Sequence, residues 1–519
     1  MRVSSEPTNG AGNLIGTALA AGIEACFANP GTTEMQLVAA LDATPGMRAV
    51  LALFEGVCAG AADGYARMAR KPALTLLHLG PGLANALANL HNARRARSPV
   101  VNVVGDLATW HLPSDAPLTS DIESLARTVG WVHTVASAKD VARDTAAALR
   151  AARAHRQVAT LIVPQDASWE TVPEATESVR PSERPAVDAD RVSAAAELLR
   201  SDRSAVLFVG GDALSEPGLR AVARICGATS CRALHETFPA RLERGGSLPA
   251  IARLPYFPEQ AVAALAGVRS VVLAGAREPV SFFGYPGQPS RLLPEGTRVV
   301  ALLHPDVDAV AALEALADAL DAPRPSARET ACPRPPRPTG PLTPETLARA
   351  LLALQPEGAI VVDESATSGV AYAELAATAP AHTVLALTGG AIGQGLPCAA
   401  GAAIACPDRK VIALHGDGGA MYTLQSLWTL ARESLDVVAV ICANRCYRIL
   451  ELELARAGVR KPGRNARILT ALSEPALDWT ALARGMGVPG VRVETADALG
   501  DALGRAFSQR GPCLIEAVL

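Results

Sequence analysis

Nowhere in its 519 residues does the chain hold the ~18–20 consecutive apolar residues that a membrane-crossing helix needs. The apolar stretch nearest the start, Leu14–Ile23, has only the distant Arg2 before it and runs into Glu24, so it does not read as a leader. An excess of charge of either sign is also missing. Forty-eight Lys and Arg face 51 Asp and Glu, a formal net charge of −3, which leaves no basic footprint for nucleic acid or a membrane surface. Lysine is scarce, 4 residues against 44 arginines, and the arginines are scattered rather than patched. With abundant Ala, Gly and Pro, that reads as a GC-rich coding bias. There is no C-x-x-C pair among the ten cysteines. Cys26, Cys58, Cys442 and Cys513 sit in apolar runs, and Cys442 and Cys446 flank a turn that zinc would not suit. Reduced, buried thiols in a cytoplasmic protein are the expectation. His91, His111, His133, His155, His235, His304 and His382 show no metal-ligand spacing, and His415 reads as a packed strand-end residue.

What is there is apolar and orderly. Hydrophobic residues make up 49% of the chain, ample for burial, and the length suggests about three domains at ~150–200 residues each. Short apolar strands alternate with Ala/Leu/Arg helices, the pattern of parallel α/β layers. The first set of strands is Ala25–Ala28, Val50–Phe54, Ala73–Leu77, Val100–Val104 and Ala159–Val163. A polar, Pro-rich stretch over 172–191 reads as a linker. Ala205–Val209, Val271–Ala274 and Val299–Leu303 follow, then a second proline-rich linker over 321–341. The last set runs through Ile360–Val362, Val384–Leu387, Val411–Leu414, Val437–Ala443 and Leu514–Val518. The expected domains are 1–171, 192–320 and 342–519, each a doubly wound parallel sheet.

The segment from His415 to Arg445 carries the most chemistry. A buried strand, Val411–Leu414, delivers the chain into Gly416-Asp417-Gly418-Gly419. An amphipathic helix is expected over Ala420–Arg432, then a strand over Val437–Ala443 that ends at Asn444. Glycines let the backbone approach an anion, and a helix start offers unpaired N–H groups to it. The Asp417 carboxylate and the Asn444 amide are hard oxygen donors, suited to Mg2+ or Ca2+ against a diphosphate.

A GDG turn, a helix, a strand and an Asn 27 residues after the Asp resemble the signature of the thiamine-diphosphate enzymes. The resemblance implies three consecutive α/β domains, pyrimidine-binding, central and diphosphate-binding. It implies that Asp417, Asn444 and the carbonyl of Cys446 hold the metal, and that Gly418 and Gly419 lie against the diphosphate. Ala443 stands where the family usually has a second Asn. In TGGAIGQG, Gly389 and Gly390 would admit the aminopyrimidine, and Ile392 matches the bulky residue that bends the cofactor. Ser365 and Thr367, in DESATSG, are placed either to hydrogen-bond the diphosphate or to cap a helix.

In ALFEGVCAGAADGYAR, Glu55 ends a strand and enters a helix, where the dipole alone favours an acid. The family segment E-x-x-A-x-x-x-A-x-GYAR gives that Glu a chemical role, protonating the aminopyrimidine; here it reads Glu55, Cys58, Ala62, Gly64, Tyr65, Ala66, Arg67. FANPGTTE and LLHLGPGLANAL resemble the opening of the benzoylformate decarboxylases. That likeness assigns the substrate carboxylate to Thr32 and a proton-transfer role to His78. A second catalytic histidine of those enzymes has no counterpart, since Phe282 or Phe283 stands there, and Ile449 and Glu453 change the substrate pocket.

These readings make a thiamine-diphosphate- and Mg2+-dependent 2-oxo acid decarboxylase the expectation, with Ca2+ as a substitute ion. An acetolactate-synthase-like carboligase is the alternative; a catalytically idle partner subunit and a dinucleotide-binding oxidoreductase are rivals of other classes. No flavin motif stands out in 192–320, so FAD is not expected. The resemblance also implies a homodimer or homotetramer with active sites at the subunit interface.

Overall fold

Val/Leu/Ile runs of four to seven residues, buried on both faces, form parallel strands because crossover helices cover both sides of the sheet. The computed structural model describes residues 2–179, 185–303, 307–324 and 334–519. Packing divides the chain into two units. One joins Met1–Ser182 with Pro336–Glu374 and Leu387–Leu519; the other joins Glu183–Pro335 with Leu375–Ala386.

The first unit holds two parallel sheets. Across the six-stranded one the order is Arg48–Leu51, Ala25–Asn29, Ala73–Leu77, Val100–Asp106, Val158–Pro164 and Gly130–Thr134. The chain runs outward from Ala25–Asn29 and then crosses back to Ala73–Leu77 on its other side. The direction of winding therefore reverses between these two strands, where α/β sheets open a crevice at their carboxyl ends. In the second sheet Ile360–Glu364, Val411–Gly416, Val437–Ala443, Cys513–Val518 and Gly490–Val493 lie side by side, all parallel.

Two helices bind these layers together. Glu55–Ala69 crosses Gly395–Ala405 with almost no side chain between the backbones. A Cβ on Gly64 would fall 2.0 Å from the Cys398 carbonyl oxygen, and one on Gly401 1.8 Å from that of Ala61. Beneath the crossing, the fully buried pair Asp63–Arg67 (2.6 Å) takes hydrogen bonds from Ser98 and from Gln394 Nε2 (2.6 Å).

The second unit has its own parallel sheet, in the order Ala252–Arg253, Arg232–His235, Val206–Val209, Ser270–Ala274, Arg298–Ala301. Leu242–Arg244 pairs antiparallel with His382–Ala386. On its surface Phe282 and Phe283, 41% and 54% exposed, stack edge-on 4.9 Å apart, with Phe238 and Tyr256 beside Phe282.

The α/β class with parallel sheets is as the sequence leads one to expect, and three sequence expectations differ locally. Residues 172–176, the start of the stretch read as a linker, belong to the strand Thr171–Thr176, which pairs antiparallel with Arg2–Asn9; Pro173 is tolerated because this ribbon has only two strands, both edges. The helix expected over Ala420–Arg432 starts at Asp417, and a 3-10 turn over Met421–Thr423 breaks it before Ser426–Arg432. The edge strand Gly130–Thr134 has no apolar run to announce it because it is only partly buried. Of the second linker, 325–333 lies outside the described residues, as does His304. No described helix is long and apolar enough to cross a membrane.

Candidate active site

Strand ends of the first sheet gather the first group of residues. The chain leaves Ala25–Asn29 through Pro30 and Gly31 into a tight turn, Thr32–Glu34, while His78 follows Ala73–Leu77 directly. Asn29 and Leu77 face each other in register, so the two exits are adjacent. Glu34 is wholly buried. Its Oε2 accepts the Gly31 N–H at 2.7 Å and meets His78 Nδ1 at 2.8 Å, while Oε1 accepts the Thr33 hydroxyl at 2.5 Å. Thr33 Oγ1 is also 3.2 Å from Nδ1. Thr32 is exposed, so the hydroxyl that reaches His78 is the next one along.

Glu55 opens its helix, 8% exposed, and accepts a hydrogen bond from Asn85 Nδ2 at 2.9 Å. It shares a boundary with His78 across Gly82, where a Cβ would lie 3.2 Å from Glu55 Oε1 and 3.5 Å from His78 Cβ. Leu79, next to His78, has φ +53°, a left-handed conformation that costs a leucine of order 1–3 kcal/mol. Ala366 and Arg445, next to Ser365 and Asn444, share that geometry at φ +50° and +55°. Strain of this kind persists only where surrounding contacts impose it.

Residues 388–394 form the glycine loop that carries Gly389, Gly390 and Ile392, and one helix, Leu79–Ala96, holds most of it. His91 Nε2 bonds the Gly389 carbonyl at 3.1 Å. Asn92 clasps Ala391 twice, donating to its carbonyl at 2.7 Å and accepting its N–H at 3.2 Å. Asn89 and Thr423 both donate to the Gly393 carbonyl, at 3.3 and 2.7 Å. Gly390 sits at φ +77° and is exposed, and Ile392 is half-buried.

The second sheet supplies the last group. Glu364 ends its strand buried, accepting the N–H groups of Gly393 and Gly395 at 2.6 Å each, with His415 Nε2 3.3 Å away. Burial on its own would hold the His415 imidazole pKa down; the Glu364 charge outweighs it and moves the value up. Ser365 stands at the start of the next turn but makes no capping bond through its side chain, which donates to Asp363 at 2.5 Å, and Thr367 is half-buried within that turn. Burial pushes the Asp417 carboxyl up, against the N–H groups of Arg445 and Gly418, which it accepts at 2.8 and 2.9 Å. Through the Arg445 N–H, Asp417 touches the turn that carries Asn444, whose Oδ1 accepts the Cys446 N–H at 3.1 Å. Gly418 and Gly419 are both crowded: a Cβ would meet Tyr447 at 2.4 Å or Glu364 at 2.9 Å.

Two groups therefore emerge within one unit, His78 with Glu55 and Asp417 with Asn444, and no described hydrogen bond joins Glu55 to Asp417 or Asn444. Glu34, Thr33, Glu364, Asn89 and Asn92 are additions that sequence reasoning missed. Glu34 had a signal, the acid three residues after a Gly turn; Glu364 had only its place at a strand end. Among the described residues no three His, Cys, Asp or Glu side chains cluster at metal distance. The donor set that fits a hard divalent ion is one carboxylate, one amide oxygen and one backbone carbonyl at neighbouring strand ends.

Parallel sheets with glycine turns, a buried acid at a helix start and hard oxygen donors at strand ends define an α/β enzyme built for an anionic cofactor. Two family models agree: the N-terminal TPP binding domain of thiamine pyrophosphate enzymes matches residues 8–125, and the C-terminal TPP binding domain matches 366–517. The chain is 54% identical over 513 residues to a Mycobacterium tuberculosis protein provisionally named acetolactate synthase large subunit IlvX, covering 98% of this chain and 99% of that one. It is 30% identical over 537 residues to benzoylformate decarboxylase of Pseudomonas aeruginosa, 95% and 96% of the two chains. The fold matches that of the thiamine diphosphate-dependent 4-hydroxybenzoylformate decarboxylase of Rhodococcus jostii RHA1 with a TM-score of 0.82 at 24% identity, over 98% of each. The chain belongs to the thiamine pyrophosphate enzyme family, which has decarboxylase and carboligase members.

Proposed function

We propose that the protein is a thiamine-diphosphate- and Mg2+-dependent decarboxylase of a 2-oxo acid, similar to benzoylformate decarboxylase. The observation that supports it best is the contact of Asp417 with the Asn444 turn, in the unit that also buries Glu55 at a helix start. When bound, thiamine diphosphate supplies a nucleophilic carbon and a sink for the electrons left as CO2 departs. Asp417, Asn444 and the Cys446 carbonyl hold the metal. Ser365, Thr367 and the backbone at Gly418 and Gly419 bind the diphosphate. Gly389 and Gly390 admit the aminopyrimidine, and Ile392 supports its bend. Glu55, shielded from water, holds a proton at its carboxyl for that ring. Thr32 orients the substrate carboxylate, and His78 delivers and removes protons at Nε2. In this reading 1–171, 192–320 and 342–519 serve as pyrimidine-binding, central and diphosphate-binding domains, and a dimer or tetramer completes the site.

Carboligation is the second reading, favoured by the 54% identical relative's name and by Phe282 and Phe283 where a second histidine would stand. The test is incubation with thiamine diphosphate, Mg2+ and 2-oxo acids from pyruvate to benzoylformate, with and without added aldehyde. Release of CO2 with free aldehyde supports the decarboxylase; CO2 with hydroxyketone supports the ligase. Tight cofactor binding with no turnover of any acid overturns both and favours an idle homologue or a different donor.

A further inference from the structure

We propose that Glu34 is the positioning residue of His78, fixing its Nδ1 as the protonated nitrogen and leaving Nε2 to carry protons. This rests on the reading of His78 as the proton-transfer group.

An ionised carboxylate only accepts hydrogen bonds, so each of its neighbours must donate. Gly31 offers a backbone N–H and Thr33 a hydroxyl, at 2.7 and 2.5 Å. The third neighbour, His78 Nδ1 at 2.8 Å, must then be N–H as well. That settles the tautomer: neutral His78 holds its lone pair on Nε2, which has no partner among the described residues.

The carboxylate has no freedom to leave. Glu34 is 0% exposed and lies against Gly105, where a Cβ would come within 1.8 Å of Oε1. The imidazole is equally confined on one side, because a Cβ on Gly31 would fall 2.3 Å from Nδ1. Its other side is open, the His78 side chain being 23% exposed. A buried negative charge behind a half-exposed imidazole stabilises the imidazolium formed when Nε2 takes a proton, and Nδ1–H stays in place throughout. The pair stands where the sheet changes winding direction, between the exits of Ala25–Asn29 and Ala73–Leu77.

A merely structural Glu34 would cap the Gly31 turn through its 2.7 Å bond and have no bearing on His78 chemistry. Two measurements separate the roles. The first is the 15N spectrum of histidine-labelled wild-type protein loaded with thiamine diphosphate and Mg2+, with the His78 signals identified by their loss in His78→Phe. A protonated Nδ1 with bare Nε2 is expected; an Nε2–H tautomer overturns the proposal. This readout stands even if no 2-oxo acid is turned over, a result that would sink the proton-transfer reading alone. The second is a double-mutant cycle on kcat with the best 2-oxo acid. Glu34→Gln is expected to lower kcat about 100-fold with KM within about threefold, and to cost less than about twofold in the His78→Phe background. Additive losses in the cycle overturn the proposal.

Discussion

Glu364 accepts the Gly393 N–H at 2.6 Å, tying the strand end before Ser365 to the loop that carries Ile392. Its other oxygen takes Gly395 at the same distance, so one buried carboxylate fixes both ends of a three-residue turn. The tie spans 29 residues of sequence and needs no ligand to be present.

Replacing that carboxylate tests the tie. In Glu364→Gln one amide N–H2 must face a backbone N–H, donor against donor. Hydrogen bonds to a charged group contribute about 1.5–3 kcal/mol each. We expect a fall in thermal midpoint and at least tenfold weaker thiamine diphosphate binding by calorimetry. Unchanged binding would mean that His91, Asn89, Asn92 and Thr423 hold the loop without it.

Glu55→Gln should separate binding from chemistry. The amide keeps the Asn85 contact but has no proton to exchange. Cofactor affinity should stay within a few-fold, while turnover drops by roughly 10²–10⁴, the usual worth of a positioned acid–base group. Full turnover in the variant would remove Glu55 from the mechanism.

Asp417→Ala leaves the amide oxygen of Asn444 and a carbonyl without their charged companion. Thiamine diphosphate affinity should then lose its dependence on added Mg2+, read by titration with and without the ion. Metal-dependent binding equal to wild type would place the ion elsewhere.

Glycine substitutions should sort by backbone contact. Gly401→Ala drives a methyl to 1.8 Å from the Ala61 oxygen and should destabilise by more than the ~1–3 kcal/mol typical of overpacking. Gly504→Ala, in a helix with nothing within 4 Å, should instead gain roughly 0.5–1 kcal/mol. Urea midpoints of the two variants against wild type decide.

One buried histidine gives the second unit a pH dependence of its own. Burial moves the His235 pKa down to about 4, with Arg244 and Arg253 adding to the shift against the Glu236 carbonyl. Above the unfolded value near 6.5 both states are neutral and nothing is lost. As the pH falls from about 6.5 to 4 the unfolded chain takes a proton that the folded one refuses, lowering stability by about 3 kcal/mol. His235→Gln should flatten that slope in urea unfolding, and an unchanged slope would assign it to other groups.

How much of this could be read from the chain depends on how far apart the partners lie. Val437–Ala443 and the GDG turn are legible because their meaning is local: an apolar run, then glycines and an acid. The Glu34–His78 and Glu364–Gly393 contacts are not, since each joins residues 44 or 29 apart and exists only once strands lie side by side. The broken helix after Asp417 has a local cause that the amphipathic pattern hid. Gly418 and Gly419 weaken its first turn, and Thr423 turns aside to bond the Gly393 carbonyl. Residues 172–176 looked like a linker because polar, Pro-containing edge strands differ little from loops in composition.

The crossing at Gly64 and Gly401 has a bearing on how such a protein can change. Contact there is backbone on backbone, so the spacing between the helix that Glu55 begins and the helix that follows the 388–394 loop is a fixed dimension. In the proposed function substrate preference, by contrast, rests on side chains at strand ends and turn tips. If the proposed function holds, exchanging those tips would admit other acids while the spacing between the two helices stays the same.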